Sequence, residues 1–108
     1  MKNYFLLAVF LAVFSGSATS ATIVSGWTKI IELYPTREGL MFITEYKNVS
    51  LSTCEDGARF ALKPENPEYT TQSSAIIAAF IAQKEINMTI EVRPAACNGV
   101  VDRFRVRR

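Results

Sequence analysis

Apolar and β-branched positions run almost unbroken from Ile23 to Tyr34 (IVSGWTKIIELY), with Gly26 as the one interruption. The pattern predicts a long first strand, and a glycine inside such a run marks a bulge or a sharp bend. Pro35-Thr36-Arg37-Glu38-Gly39 follows as a turn: proline presets φ at its start and glycine allows positive φ at its end. Leu40 to Lys47 (LMFITEYK) reads as the second strand of a hairpin. Asn48 to Thr53 is polar and loop-like, and after a turn at Glu55-Asp56-Gly57 a short third strand covers Ala58 to Leu62.

Lys63 to Thr71 (KPENPEYTT) holds two prolines and no periodicity, which predicts a loop. Ser73 or Ser74 offers a helix N-cap, and Ala75 to Lys84 carries good helix formers without Gly or Pro, so one helix is expected over about 73–84. Ile86, Met88, Ile90 and Val92 then alternate with Asn87, Thr89, Glu91 and Arg93, a period of two that marks a half-buried fourth strand ended by Pro94. Past Cys97-Asn98-Gly99 comes a fifth strand. Val100, Phe104 and Val106 are its expected inner file, with Asp102 as the break, and Val101, Arg103, Arg105 and Arg107 face out. The order β-β-β-α-β-β predicts a mainly β, five-stranded, OB-fold-like Greek-key barrel rather than a parallel sheet.

On the helix, at about 100° per residue, Ile76, Ile77, Phe80 and Ile81 form one bulky stripe and Ala75, Ala78, Ala79 and Ala82 a second, small one. The expectation is that the Ile/Phe face closes the barrel while the alanine face packs on a neighbouring subunit. The plainer alternative is that alanine is simply the best helix former.

Residues 1–21 (MKNYFLLAVFLAVFSGSATSA) have the three parts of a secretory signal: Lys2, an apolar run from Tyr4 to Phe14, and small residues Ser15 to Ala21 at a cleavage site. The apolar run makes about 16 Å of helix, short of the roughly 30 Å of a bilayer core, so no transmembrane anchor is expected. The mature part is then one domain, 22–108, cleaved near residue 21 and secreted or periplasmic. Export changes how the only two cysteines read: Cys54 and Cys97 are expected to form a disulfide, since they have neither Cys-x-x-Cys spacing nor a third soft ligand. Composition excludes further classes. The chain has no histidine, which removes a His-based triad and the usual zinc sites. Its net charge is +2, and loss of Lys2 with the leader leaves the mature part nearly neutral, which argues against a nucleic-acid partner. No motif pairs a nucleophile with a base, so no catalytic residue, metal or cofactor is expected.

The layout, together with the helix SSAIIAAFIAQKE, the strand INMTIEV, the cysteine, Asn98-Gly99 and a basic closing strand, resembles the B subunits of bacterial AB5 toxins, the Shiga-toxin and subtilase-cytotoxin types above all. The sequence-specific part of the resemblance lies in Ser73–Val106. It implies a small OB barrel, a homo-pentameric ring with helices at its pore, an enzymatic A subunit as partner, and a glycan receptor. The chain departs from the Shiga type in that Cys54 follows the second strand, whereas the family's partner cysteine lies near the mature N-terminus. No segment matches the family's sugar-binding loops, so no binding residue is carried over.

The residues themselves supply binding candidates. Sugars stack on aromatic rings and need directed hydrogen bonds. The candidate platforms are Trp27, Tyr34, Tyr46 and Tyr69: Tyr34 and Tyr69 flank loops and are expected to be exposed, whereas Trp27, in a strand beside a glycine, is expected in the core. Arg103, Arg105 and Arg107 share one strand face and suit an acidic glycan, headgroup or protein, or else form a solvated face that guards an edge against aggregation. The functional expectation is an exported, non-catalytic binding module of the toxin B-subunit type. The alternative is a stand-alone interaction protein or enzyme inhibitor.

Overall fold

A computed structural model describes residues 21–108; the leader expected over 1–21 lies, apart from Ala21, outside the described residues. Five strands and one helix follow each other as β1 (Thr22–Thr36), β2 (Gly39–Thr44), β3 (Arg59–Leu62), α1 (Tyr69–Ile81), β4 (Glu85–Glu91) and β5 (Gly99–Arg107), with a short 3₁₀ turn at Glu55–Gly57. The fold is mainly β with one helix, and the sheet closes into a ring in the order β1-β2-β3-β5-β4. Every strand pair is antiparallel except β3 with β5, which touch in parallel at Phe60↔Gly99 and Ala61↔Val100. A β-carbon at Gly99 would fall 2.6 Å from the Phe60 ring, so only glycine admits this closure.

The interior is filled by Phe42 and Leu40 of β2, Phe60 and Leu62 of β3, Ile86, Met88 and Ile90 of β4, and Val101 of β5. Burial of each such side chain contributes about 1.5–3 kcal/mol. The period-two pattern of β4 appears as expected, with Ile86, Met88 and Ile90 fully enclosed. The hairpin turn is tighter than the sequence predicts. β1 continues through Pro35 and Thr36, and only Arg37 and Glu38 turn the chain. Proline is tolerated there because, among the described residues, β1 has no strand partner on the β4 side beyond Lys29. Thr36 Oγ1 accepts from the Glu38 N–H and donates to the Gly39 carbonyl, which closes the turn.

Three bulges decide which side chains face outward, and the one in β1 against β2, between Ile30 and Glu32, leaves Ile31 exposed. The β1–β4 register slips between Val24 and Trp27, where Gly26 has φ +75°. One extra residue inverts the alternation beyond it, so Thr28 points in and Trp27 points out, 37% exposed. The expectation that Trp27 is a core residue is thereby corrected. Ser25 Oγ accepts from the Met88 N–H, which restores a bond that the bulge removes from the ladder. In β5 the register slips between Thr89 and Ile90 of β4, which leaves Asp102 as the extra residue. Val101, not Val100, therefore enters the core, while Arg103, Arg105 and Arg107 face out as expected.

The helix begins at Tyr69, four residues before the expected cap. Asn66 Oδ1 accepts from the Glu68 N–H and the Asn66 carbonyl accepts from the Tyr69 N–H, so an Asn-Pro turn starts it and neither Ser73 nor Ser74 caps it. It ends at Ile81, where Gln83 takes a left-handed φ of +55° and the N–H groups of Gln83 and Lys84 return to the carbonyls of Phe80 and Ala79. The inward stripe is Tyr69, Gln72, Ile76 and Ala79, a spacing of three to four residues that mixes both expected faces. Ile77 and Ile81 are exposed, Ile81 by 73%, and Ala79 is only 3% exposed. The expected division of the helix into a bulky inner face and an alanine outer face is therefore corrected. The small Ala79 lets the helix backbone approach the barrel, and Ala78 and Ala82 share the outside with Ile77 and Ile81.

Cys54 and Cys97 form a disulfide with Cα atoms 4.7 Å apart. Around it the chain segments pair: Ser52 bridges Ala96, the Thr53 N–H donates to the Ala96 carbonyl, and Ser52 Oγ donates to the Cys97 carbonyl. The cross-link ties the β2–β3 connection to the β4–β5 loop, at a sequence separation of 43. Closing so long a loop stabilises the fold by about 4 kcal/mol in the chain-entropy account. Such a bond suits a secreted or periplasmic protein. Among the described residues no helix is long and apolar enough to cross a membrane.

Candidate binding surfaces

At one end of the barrel the β1–β2 turn, the segment 63–67, the end of β4 and the start of β5 enclose a cleft of 660 Å³. A smaller hollow of 280 Å³, walled by Cys97 and Asn98, adjoins it and shares Lys63, Glu91, Arg93 and Val100. The walls carry the cations Arg37, Lys63 and Arg93 and the carboxylates Glu38, Glu65, Glu91 and Asp102. Glu91 and Arg93 pair at 3.0 Å, and Asp102 pairs at 2.9 Å with Arg103 outside the cleft. Arg37 and Lys63 have no ion pair among the described residues. The lining thus offers cationic donors and carboxylate acceptors side by side, and its balance of charge does not favour a phosphate backbone.

Polar bonds fix the cleft walls. Asn66 Nδ2 donates to Gln72 Oε1 and to the Asp102 carbonyl, and Gln72 Nε2 donates to that same carbonyl. The bulge in β5 therefore presents an oxygen that fastens the 63–67 segment and the first helical turn. The opposite wall, running on from Arg93 to Asn98, is held by the disulfide.

A second surface is the outward face of β1, β4 and β5. Register places Trp27, Asn87 and Arg105 in one row and Lys29, Glu85 and Arg107 in the next. The Arg107 guanidinium lies over the Trp27 ring, 4.3 Å from its centroid, while its Nε and Nη2 donate to Glu85 Oε1 at 3.1 and 3.0 Å. Arg105 has no ion pair among the described residues, and the Oδ1 of neighbouring Asn87 is enclosed without a hydrogen-bond partner.

The structure brings Arg103, Arg105 and Arg107 together but leaves the two tyrosines elsewhere. Tyr34 is 52% exposed on β1, with the Arg59 guanidinium 4.9 Å from its ring centroid. Tyr69 opens α1 and packs half-buried against the core. Neither lines the cleft. Of the four alanines expected at an interface, Ala78 and Ala82 are exposed, Ala75 is half-buried and Ala79 is in the core. Sequence reasoning missed Arg37, Glu38, Glu91 and Arg93 as a group, because turn and strand-end charges carry no local signal of convergence. It missed the exposure of Trp27 although Gly26 signalled the bulge: one inserted residue reverses inside and outside. Among the described residues no cluster of three or more His, Cys, Asp or Glu side chains is placed to hold a metal. Compared with protein-family models, curated proteins and solved structures, the chain matches none.

Proposed function

We propose that the protein is an exported, non-catalytic binding module of the OB type, and that its ligand enters the cleft at the barrel mouth. The observation that carries this reading is the position of the cleft. It opens between the β1–β2 turn and the β4–β5 loop, the two connections that OB barrels use to hold oligosaccharides and oligonucleotides. The ring order β1-β2-β3-β5-β4, with a helix between β3 and β4, supports the OB assignment. Near-balanced charge in the lining favours a hydroxyl-rich glycan over a nucleic acid, since carboxylates and guanidinium groups both bond hydroxyls. In this reading the module resembles a toxin B subunit. Copies assemble as a homo-pentamer through the exposed helix face of Ile77, Ala78, Ile81 and Ala82, and the ring carries an enzymatic A subunit to a cell-surface receptor.

A second reading, a stand-alone interaction protein or enzyme inhibitor, draws support from a different observation: among the described residues no aromatic ring lines the cleft, so a sugar would find no stacking platform there. A glycan array probed with the mature protein and with Arg93→Ala, alongside native mass measurement, separates the two. Glycan binding that Arg93→Ala abolishes, by a pentamer, is the expected result. A strict monomer without glycan binding that captures a single protein through the same cleft overturns the first reading for the second.

A further inference from the structure

The two edges of β5 are treated differently. One edge pairs with β4 along Val101–Arg107. The other meets β3 only at Gly99 and Val100, because β3 ends at Leu62. Beyond the Asp102 carbonyl, which Asn66 and Gln72 occupy, no strand lies beside Arg103–Arg107 and no main-chain hydrogen bond reaches that edge among the described residues. This open stretch carries an arginine at every second position: Arg103, Arg105 and Arg107, all exposed. We propose that the free edge of β5 docks an extended acidic peptide segment of a partner protein, which adds as a further strand and sets Asp or Glu at alternate positions against Arg103, Arg105 and Arg107.

The geometry and the charge select the same occupant. Alternate residues of a strand lie about 6.6–6.8 Å apart, a repeat that a second extended chain reproduces without adjustment. Side chains facing each other across two strands come within about 4.5–5.5 Å, so each carboxylate would meet a guanidinium. Arg105 is the anchor, since among the described residues it has no ion pair of its own, whereas Arg103 is held by Asp102 and Arg107 by Glu85. A second copy of this chain pairing β5 against β5 would oppose arginine with arginine, which the charges forbid. A sulfated polysaccharide would satisfy the guanidinium groups but leave the main-chain donors and acceptors of the edge unpaired. A peptide satisfies both. This site is separate from the cleft and does not depend on what the cleft binds.

The probe is a blocked seven-residue peptide alternating Glu with Thr, titrated into isotope-labelled mature protein. Matched peptides carry Gln or Lys in place of Glu, and one Glu peptide is N-methylated on its pairing edge. The expected result is binding of the Glu peptide alone, with amide shifts and slowed exchange confined to Arg103–Arg107. Arg105→Glu should weaken it roughly fivefold and admit the Lys peptide, while Arg105→Lys retains binding. Circular dichroism confirms that each variant is folded, and Arg103→Glu provides an independent reversal. Absence of Glu-peptide binding, equal binding by the N-methylated or Gln peptide, shifts centred on the cleft, or binding only of a sulfated oligosaccharide would each overturn the proposal.

Discussion

The cleft at the barrel mouth and the outward face of β1, β4 and β5 are both polar surfaces, yet they are held in different ways. The cleft is walled by four segments distant in sequence, and they are fixed by a covalent link and by side-chain bonds to a single carbonyl, that of Asp102. The face rests on a continuous ladder, and what it displays is decided by two inserted residues, at Gly26 and Asp102. A surface made from loops is thus exposed to the loss of any one tie. A surface made from strands is exposed to a change in register. Asp102 belongs to both: its backbone oxygen anchors the cleft wall, and its extra residue turns the arginines outward.

The largest effect should come from the cleft's covalent tie. Replacing Cys54 and Cys97 together with Ala is expected to remove about 4 kcal/mol of stability, read as a lower denaturant midpoint under two-state unfolding. Exchange of the 93–98 amides should accelerate more than exchange in β4. Next comes the face: Gly26→Val should cost about 1–2 kcal/mol. A β-carbon there meets no atom within 4 Å, so the penalty comes from a side chain forced to φ +75°. A neutral result would mean that the bulge is not fixed.

Asn66→Ala is expected to cost about 1–2 kcal/mol, because it removes bonds to Gln72, to the Asp102 carbonyl and to the Glu68 N–H at the start of α1. Its effect should reach the 63–67 segment and leave the Trp27 environment unchanged. The smallest effect should be that of Arg107→Ala. The cation–π contact and the half-exposed pair with Glu85 together are worth about 0.5–1 kcal/mol, and the Trp27 emission should shift as its cover is lost.

Much of this barrel is legible in the sequence, and the remainder fails for identifiable reasons. Strict alternation from Ile86 to Ile90 makes β4 legible as a strand, since a helix repeats every 3.6 residues and not every two. Two cysteines in the whole chain leave one pairing. The course of β1 is legible too, but not its faces: Trp27 exchanges inside for outside because Gly26 adds one residue, and a pattern read across the bulge inherits the wrong parity. Val100 and Val101 exchange roles at Asp102 for the same reason. The helix misleads differently. Ser73 looks like a cap and Ile77 like a core residue, but Asn66 starts the helix earlier, and the barrel needs only the narrow stripe through Tyr69, Ile76 and Ala79. The cleft is the least legible feature, because its charges converge only once the ring has closed.

Trp27 is the only tryptophan in the chain, so its fluorescence tests most directly whether the bulge at Gly26 sets the outward face. In the folded protein, acrylamide should quench the emission efficiently and the maximum should lie toward that of a solvated indole. A blue-shifted emission that resists quenching would place the ring inside the barrel and contradict the register on which this description of the surface rests.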